Sequence, residues 1–283
     1  MYGKLYVVAT PIGNLADFSF RAVDVLKQVD LIAAEDTRHV KMLLQHYGIN
    51  KPLQSLHQHN EDHASQGLVD KIRDGQSVAL VSDAGTPMIS DPGFPLVKLA
   101  RQQGVEVCPI PGACALIAAL SVAGLPTSRF SFEGFLPRTG SARRSFFEHK
   151  LADNSTWAFY ESSHRIQAAL EDMLTVFPAE HQIVVAREIT KLHETIVGDE
   201  LAKVLEKVQI DENMRKGEFV VLVAGREHVD QDDELNDEQR RILGILLTEC
   251  STKTAAALAA EITGQRKKTL YQAALAMQDK QGG

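Results

Sequence analysis

Between Arg187 and Glu194 the sequence reads REITKLHE, which sets carboxylates, cations and an imidazole side by side. Groups of these types can activate a weak oxygen nucleophile. A carboxylate takes a proton as a bond forms, and a cation steadies the negative charge that develops. If this run continues extended after a strand at Ile183–Ala186, alternate side chains share a face. Glu188, Thr190 and Leu192 would then lie on one side, with Arg187, Ile189, Lys191 and His193 on the other. Lys191 is the first candidate for contact with a reacting group and Glu188 the second. The same charges also suit a surface ion-pair cluster, which would contribute little.

Two further loops have the composition of binding loops. Ser82–Gly93 reads SDAGTPMISDPG and follows the β-like run Val78–Val81. Its small residues leave backbone N–H and C=O groups approachable. In open α/β sheets, ligands bind where loops leave the carboxyl ends of strands. Pro109–Ala113 reads PIPGA and opens a small-residue helix at Cys114–Leu120, whose first turn offers unpaired N–H groups. Either loop alone is also compatible with tight turns and close helix–sheet packing. His57, His59 and His63 lack convincing metal-ligand spacing and fit a loop or site rim, and no metal is expected. Neither G-x-x-x-x-G-K-[ST] nor G-x-G-x-x-G occurs, so the P-loop and the usual dinucleotide fingerprint are excluded.

The elements needed to position these loops are legible as periodicity. Strand-like runs at Leu5–Ala9, Leu31–Ala34, Val78–Val81 and Val105–Val107 alternate with helical spacing at Ser19–Val29 and Phe94–Gln103. This predicts an α/β layer fold with a mostly parallel sheet. A second alternating set follows: strands at Trp157–Tyr160, Ile183–Ala186 and Phe219–Val223, and a helix at Ile166–Phe177. The expected fold class is α/β, with two α/β domains at 1–122 and 123–226. An acidic linker at 227–234 and a small C-terminal helical, helix-turn-helix-like module at 235–283 complete it.

The chain has 283 residues, 44% of them hydrophobic, enough for real cores. Its net charge of −7 does not mark it as a nucleic-acid binder, so any such site must be a local basic patch. Two patches exist. Arg138, Arg143, Arg144 and Lys150 surround a Gly/Ser segment read as a mobile loop suited to gripping phosphates, next to Phe132 and Phe135, which could stack a base. The tail, residues 235–283, holds seven Lys/Arg and five Asp/Glu, with Arg266, Lys267 and Lys268 opening its last helix. Solvated charge and a packing module are the competing readings. Three widely spaced cysteines suggest no disulfide framework, and a reduced, cytoplasmic setting is expected. No signal peptide or membrane span is expected.

In order along the chain, VATPIGNLAD, AAEDTR, SDAGTPMISDPG, PIPGACA, EGFLPR, YESSHR, REITKLHE and KGEFVVLV together resemble the tetrapyrrole-methylase-like superfamily of S-adenosylmethionine enzymes. Within it they are similar to the family of small-subunit ribosomal RNA methyltransferases I. The resemblance spans essentially the whole chain. It implies a cofactor cleft between two α/β domains, 2′-O-methylation of a cytidine ribose in the decoding region of 16S ribosomal RNA or of the small subunit, and a homodimer. It places Pro11, Gly13 and Asn14 at the cleft mouth. Asp83, Ala84, Gly85, Met88 and Ile89 would surround the methionine and ribose parts of S-adenosylmethionine. Gly112, Ala113 and Cys114 would contribute from the next loop, and Tyr160 from the second domain with the strand Phe219–Val223. Cys114 stands where the family often has Ser. A tetrapyrrole methyltransferase on the same fold and a DNA-binding small-molecule sensor are the alternatives.

Overall fold

A computed structural model of the chain describes residues 3–226 and 235–279. The expected acidic linker, 227–234, lies outside the described residues. The described chain divides into two compact units, the first ending at Arg226.

The first half of unit one is a five-stranded sheet. In chain order it contains β1 (Lys4–Val8), α1 (Phe20–Gln28), β2 (Leu31–Ala34), α2 (Thr37–His46), β3 (Leu53–Ser55), α3 (Glu61–Arg73), β4 (Val78–Val81), α4 (Phe94–Gln102), β5 (Glu106–Ile110) and α5 (Ala115–Val122). The strand order is β3-β2-β4-β1-β5, and every pairing is parallel. Such a sheet is covered on both faces, and the residues of β2 and β4 divide accordingly. Ile32, Ala34, Ala79 and Val81 face the core with α1 and α2, while Leu31, Ala33, Val78 and Leu80 face the core with α3 and α4. Helix starts follow local chemistry: the Ser19 hydroxyl accepts from the Ala22 amide before α1, and Asp36 caps α2 at the Arg38 amide. The chain leaves β1 toward β2 on one side and returns to β5 on the other. The carboxyl ends of β4, β1 and β5 therefore meet at a topological switch point.

The second half contains β6 (Phe130–Phe135), α6 (Gly140–Lys150), β7 (Thr156–Ser162), α7 (Ile166–Leu174), β8 (Gln182–Arg187), β9 (Thr195–Glu200), α8 (Leu201–Ile210) and β10 (Glu218–Val223). Its order is β6-β7-β10-β8-β9, with only β6–β7 parallel. The alternation of strands and helices is present, yet the sheet is mostly antiparallel. One face packs on α6, α7 and α8 around Trp157, Phe147 and Phe159. The other receives α5: Leu116, Ala119 and Leu120 bury against Ala158, Val184, Ala186, Val220 and Leu222. The small-residue run of α5 thus fastens the two sheets together, and fully burying a leucine of this kind contributes roughly 1.5–3 kcal/mol.

Unit two is three helices, α9 (Asp237–Glu249), α10 (Thr252–Thr263) and α11 (Lys267–Asp279). Asn236 and Gln239 form a capping box on α9, and Gly264, at φ +71°, ends α10 in the left-handed conformation. Ala255, Ala256, Ala259 and Ala274 let the helices approach around Leu243 and Leu270.

Candidate active site

The three loops at the switch point are tied to one another before any ligand is considered. Thr10 and Gly85 exchange backbone hydrogen bonds of 2.9 and 3.1 Å. The Thr10 and Ser82 hydroxyls both donate to the Gly85 carbonyl, and Thr86 Oγ1 donates to the Ala113 carbonyl at 3.0 Å. Gly85 has φ +87°, and a Cβ there would press on Ile12 Cγ2 at 3.2 Å, so glycine is required for the loops to close. A Cβ at Gly112 would stand 3.0 Å from that of Ala9.

A cavity of about 430 Å³ opens beside these loops and is walled on its other side by β7, β8 and β10. Its size falls in the range of small-molecule sites, about 300–1,000 Å³. Asp83, Ala84, Gly85, Ile89, Cys114, Tyr160, Glu188 and Lys191, all candidates from sequence, line it. Pro11 is buried and does not line the cavity; Ile12 does the lining at that loop. Gly13, Asn14, Met88, Gly112 and Ala113 belong to the same loops without forming the wall. Asn14 instead caps a short helical turn, its Oδ1 accepting from the Ala16 amide at 3.0 Å. Gly13 has a different use: the Lys191 stem lies where its Cβ would be, 2.3 Å from Lys191 Cγ. Cys114 is the N-cap residue of α5 but makes no capping bond with its side chain. The Tyr160 hydroxyl accepts from the Leu116 amide there at 3.3 Å, and burial above all pushes the pKa of that phenol up.

Strain is concentrated in two of the loops that supply this wall. Among the described residues, the non-glycine residues with positive φ are Met88 (70°), Ser90 (74°), Glu188 (50°) and Thr190 (68°). Each costs on the order of 1–3 kcal/mol and persists only where surrounding contacts fix it, as at functional sites. The last two correct the expectation of an extended run. β8 ends at Arg187 and the chain folds into a tight loop, held by Arg187 donating to the Lys216 and His193 carbonyls. The loop puts Glu188 and Lys191 together instead of on opposite faces: Lys191 Nζ is 2.8 Å from Glu188 Oε1 and 2.8 Å from Glu218 Oε2. Glu188 also accepts from the Glu218 amide at 3.0 Å, and Gly217 leaves room for it. Burial works against Lys191's charge, but its two carboxylate partners outweigh burial and raise its pKa. Burial likewise opposes ionisation of Glu188, and the bonds from Lys191 and the Glu218 amide overcome it, so its pKa is lowered. The pair stays charged.

The wall is otherwise acidic. Glu35, Asp83, Asp91, Glu161, Glu188 and Glu218 face one ammonium, Lys191. Burial, then repulsion from Asp83, raises the pKa of Glu35. Burial, then repulsion from Glu35 and Asp83, pushes Asp91 from 3.8 to about 7. Folded Asp91 therefore holds its proton more tightly than the unfolded chain does. The stability this gives is fully present below about pH 4 and is lost as pH rises to about 7. Asp91→Asn is expected to raise the melting temperature at pH 8, with the gain shrinking toward pH 4. Thermal melts across that range check it, and a gain independent of pH would contradict it. Glu35 was missed as a site residue, although it follows β2, whose carboxyl end adjoins that of β4. Asp91, Glu161 and Glu218 were not singled out, because their place in the wall depends on loop or strand geometry; Phe135, read from sequence as a base-stacking candidate, lies in the same wall.

The first basic patch is corrected. Thr139 caps α6, so Arg143 and Arg144 sit on a helix instead of a mobile loop. Arg143 is buried, its guanidinium engaged by Asp172 at 2.6 Å and the Arg138 carbonyl at 3.0 Å. It is unavailable to a phosphate, and loss of one partner of such a buried pair costs roughly 3–5 kcal/mol. Arg144 shares Asp172 but is exposed, as is Arg138. Lys150 is held by Glu133 and Asp153. In unit two Arg266, Lys267 and Lys268 are exposed.

The fold and the wall define a class. Residues 4–205 match the model of the Tetrapyrrole (Corrin/Porphyrin) Methylases, and the chain belongs to that family. Within it the chain is a member of the ribosomal RNA small subunit methyltransferase I family. It is 51% identical to the Escherichia coli O157:H7 protein of that name over 98% of this chain and 96% of the relative. It is 52% identical to the Xylella fastidiosa (strain Temecula1) protein, over 95% of this chain and 98% of the relative. Residues 233–278 match the RsmI C-terminal HTH domain. Among solved structures, the methyltransferase CobJ shares the fold at a TM-score of 0.59 and 20% identity, covering 79% of this chain and 94% of that one. The Thermus thermophilus uroporphyrin-III C-methyltransferase complexed with S-adenyl homocysteine does so at a TM-score of 0.51 and 17% identity, covering 78% and 97%.

Proposed function

We propose that this chain transfers a methyl group from S-adenosylmethionine to small-subunit ribosomal RNA, at the 2′-oxygen of a cytidine ribose in the decoding region. The observation that carries the cofactor half is the acidic, strained cavity at the switch point. S-adenosylmethionine bears a sulfonium, an ammonium and a carboxylate, so its net charge is positive, and a wall with more carboxyl groups than cations complements it. Gly85 lets the loops that border the cavity close on one another. The RNA half is supported by near-full-length likeness to relatives named for that substrate. The helix-turn-helix tail supports it further against a tetrapyrrole substrate.

The bound cofactor supplies a methyl group already activated by positively charged sulfur. The protein must then align the ribose hydroxyl with it. Lys191, charged and fixed by two carboxylates, holds the hydroxyl oxygen and steadies the charge growing there. Glu188 takes the proton released as the C–O bond forms. The proton leaves as the new bond forms, so the oxygen carries the partial negative charge that Lys191 steadies. Arg138, Arg144 and the tail cations Arg266, Lys267 and Lys268 contact phosphates. The reading includes a cytoplasmic setting and a homodimer; among the described residues, no helix is long and apolar enough to cross a membrane.

Incubation with methyl-labelled cofactor and, separately, free 16S ribosomal RNA, intact small subunits and a tetrapyrrole tests it. Label in an alkali-stable ribose position of the RNA is expected. Label in the tetrapyrrole alone overturns it.

A further inference from the structure

We propose that Phe135 is the platform on which the base of the target nucleotide stacks; this rests on the RNA-methylating reading above. Phe135 is the last residue of β6 and lines the cavity, yet it is 57% exposed. An exposed aromatic face at a ligand cavity is a surface on which a flat group can stack. How the ring arrives there is informative. In a regular strand Phe132 and Phe135, three residues apart, would face opposite sides. The β6–β7 register shifts between them, and Gly134 takes φ +66°. Bulges of this kind re-aim a side chain. Here both rings come to lie against Tyr160, edge-on, at 4.7 Å for Phe132 and 5.8 Å for Phe135.

The result is a braced ring. Tyr160 backs it and is itself fixed by the Leu116 amide. Gly134 brings the strand end beside Ser90 of the strained loop, with its Cβ position 3.6 Å from Ser90 Oγ. A platform pre-set in this way loses little freedom when a flat group settles on it. The chemistry requires such a group. A ribose hydroxyl reaches a buried methyl donor only if its nucleotide leaves the stack of its neighbours. Proteins commonly offset that loss by stacking the freed base on an aromatic face. The charged groups of the wall hold the cofactor and the ribose oxygen, which leaves Phe135 for the base.

Three variants test this. Phe135→Ala and Phe135→Leu are expected to lower kcat/KM for small-subunit RNA roughly 5- to 150-fold, the range of base–aromatic stacking. Cofactor affinity by calorimetry should stay within about twofold, since stacking acts on the RNA. Phe135→Trp should retain activity. The chain has one native tryptophan, Trp157, which is 1% exposed, so the introduced indole reports separately. Its emission should be quenched by 16S ribosomal RNA and not by S-adenosylhomocysteine alone. Quenching by S-adenosylhomocysteine alone, or unchanged RNA kinetics in an active Phe135→Ala enzyme, overturns the platform while leaving the function reading intact. A change from dimer to monomer with unaltered RNA kinetics also overturns it, by showing that a second copy covers the ring. A wild-type chain that methylates no RNA overturns the function reading and the platform together.

Discussion

A chain carrying Lys191→Met is expected to bind S-adenosylmethionine with near-wild-type affinity and to turn over roughly 10²–10³-fold more slowly, the usual cost of removing one preorganised donor from a developing oxyanion. Methionine keeps the unbranched stem that packs over Gly13, so the loop's contact with the first sheet survives. What disappears is the ammonium between Glu188 and Glu218. Because those carboxylates raise the pKa of Lys191, the wild-type enzyme should show no loss of activity from lysine deprotonation near neutral pH. Single-turnover kinetics with saturating RNA measure the effect without interference from product release. If Lys191→Met keeps more than about a third of wild-type turnover, the cation serves only to pair two acids. The role proposed for it in the reaction would then be wrong.

The two sheets differ in how far they were legible. β2 and β4 are apolar on both faces, and such runs between helical segments can be read directly as a covered parallel sheet. β9, with alternating half-exposed residues at an edge, and β3, three residues long, carry too little hydrophobic pattern to be seen. The second sheet's antiparallel pairings depend on which strands meet, and strand–helix alternation does not specify that. The same division runs through the site. Loops after strand ends were found because small residues and a parallel sheet point there. The positive φ of Glu188 and Thr190 was not, since neither residue type announces it. A charged pair expected on opposite faces therefore proved to be a contact. Arg143 shows the converse: its neighbours in sequence suggested an open cationic loop, while its partner Asp172 lies a helix away on α7.

Replacing Arg266, Lys267 and Lys268 together with Gln is expected to reduce the salt dependence of RNA binding by about 2–3 in the slope of log K against log salt. That is roughly 0.7–0.9 for each phosphate left without its cation. The placement of these residues supports an external role. Lys267 and Lys268 open α11, where the positive end of the helix dipole disfavours cations, so their charge works against the helix they start. All three are exposed, and the buried contacts of the unit are made by Leu243, Leu270 and the alanines. Glutamine should thus leave unit two folded. A chain of net charge −7 needs such a local reserve of cations to hold a polyanion, and residues 235–283 run against the overall sign. Cofactor affinity should be unchanged, since the cavity wall is drawn from residues between Ile12 and Val220. Two measurements decide the matter: RNA affinity over a series of salt concentrations, and cofactor affinity by calorimetry. An unaltered slope would remove the tail from the electrostatic contact with RNA. Loss of cofactor affinity would show that the tail supports the cavity, contrary to the division of labour in which unit one holds the methyl donor and unit two grips the substrate.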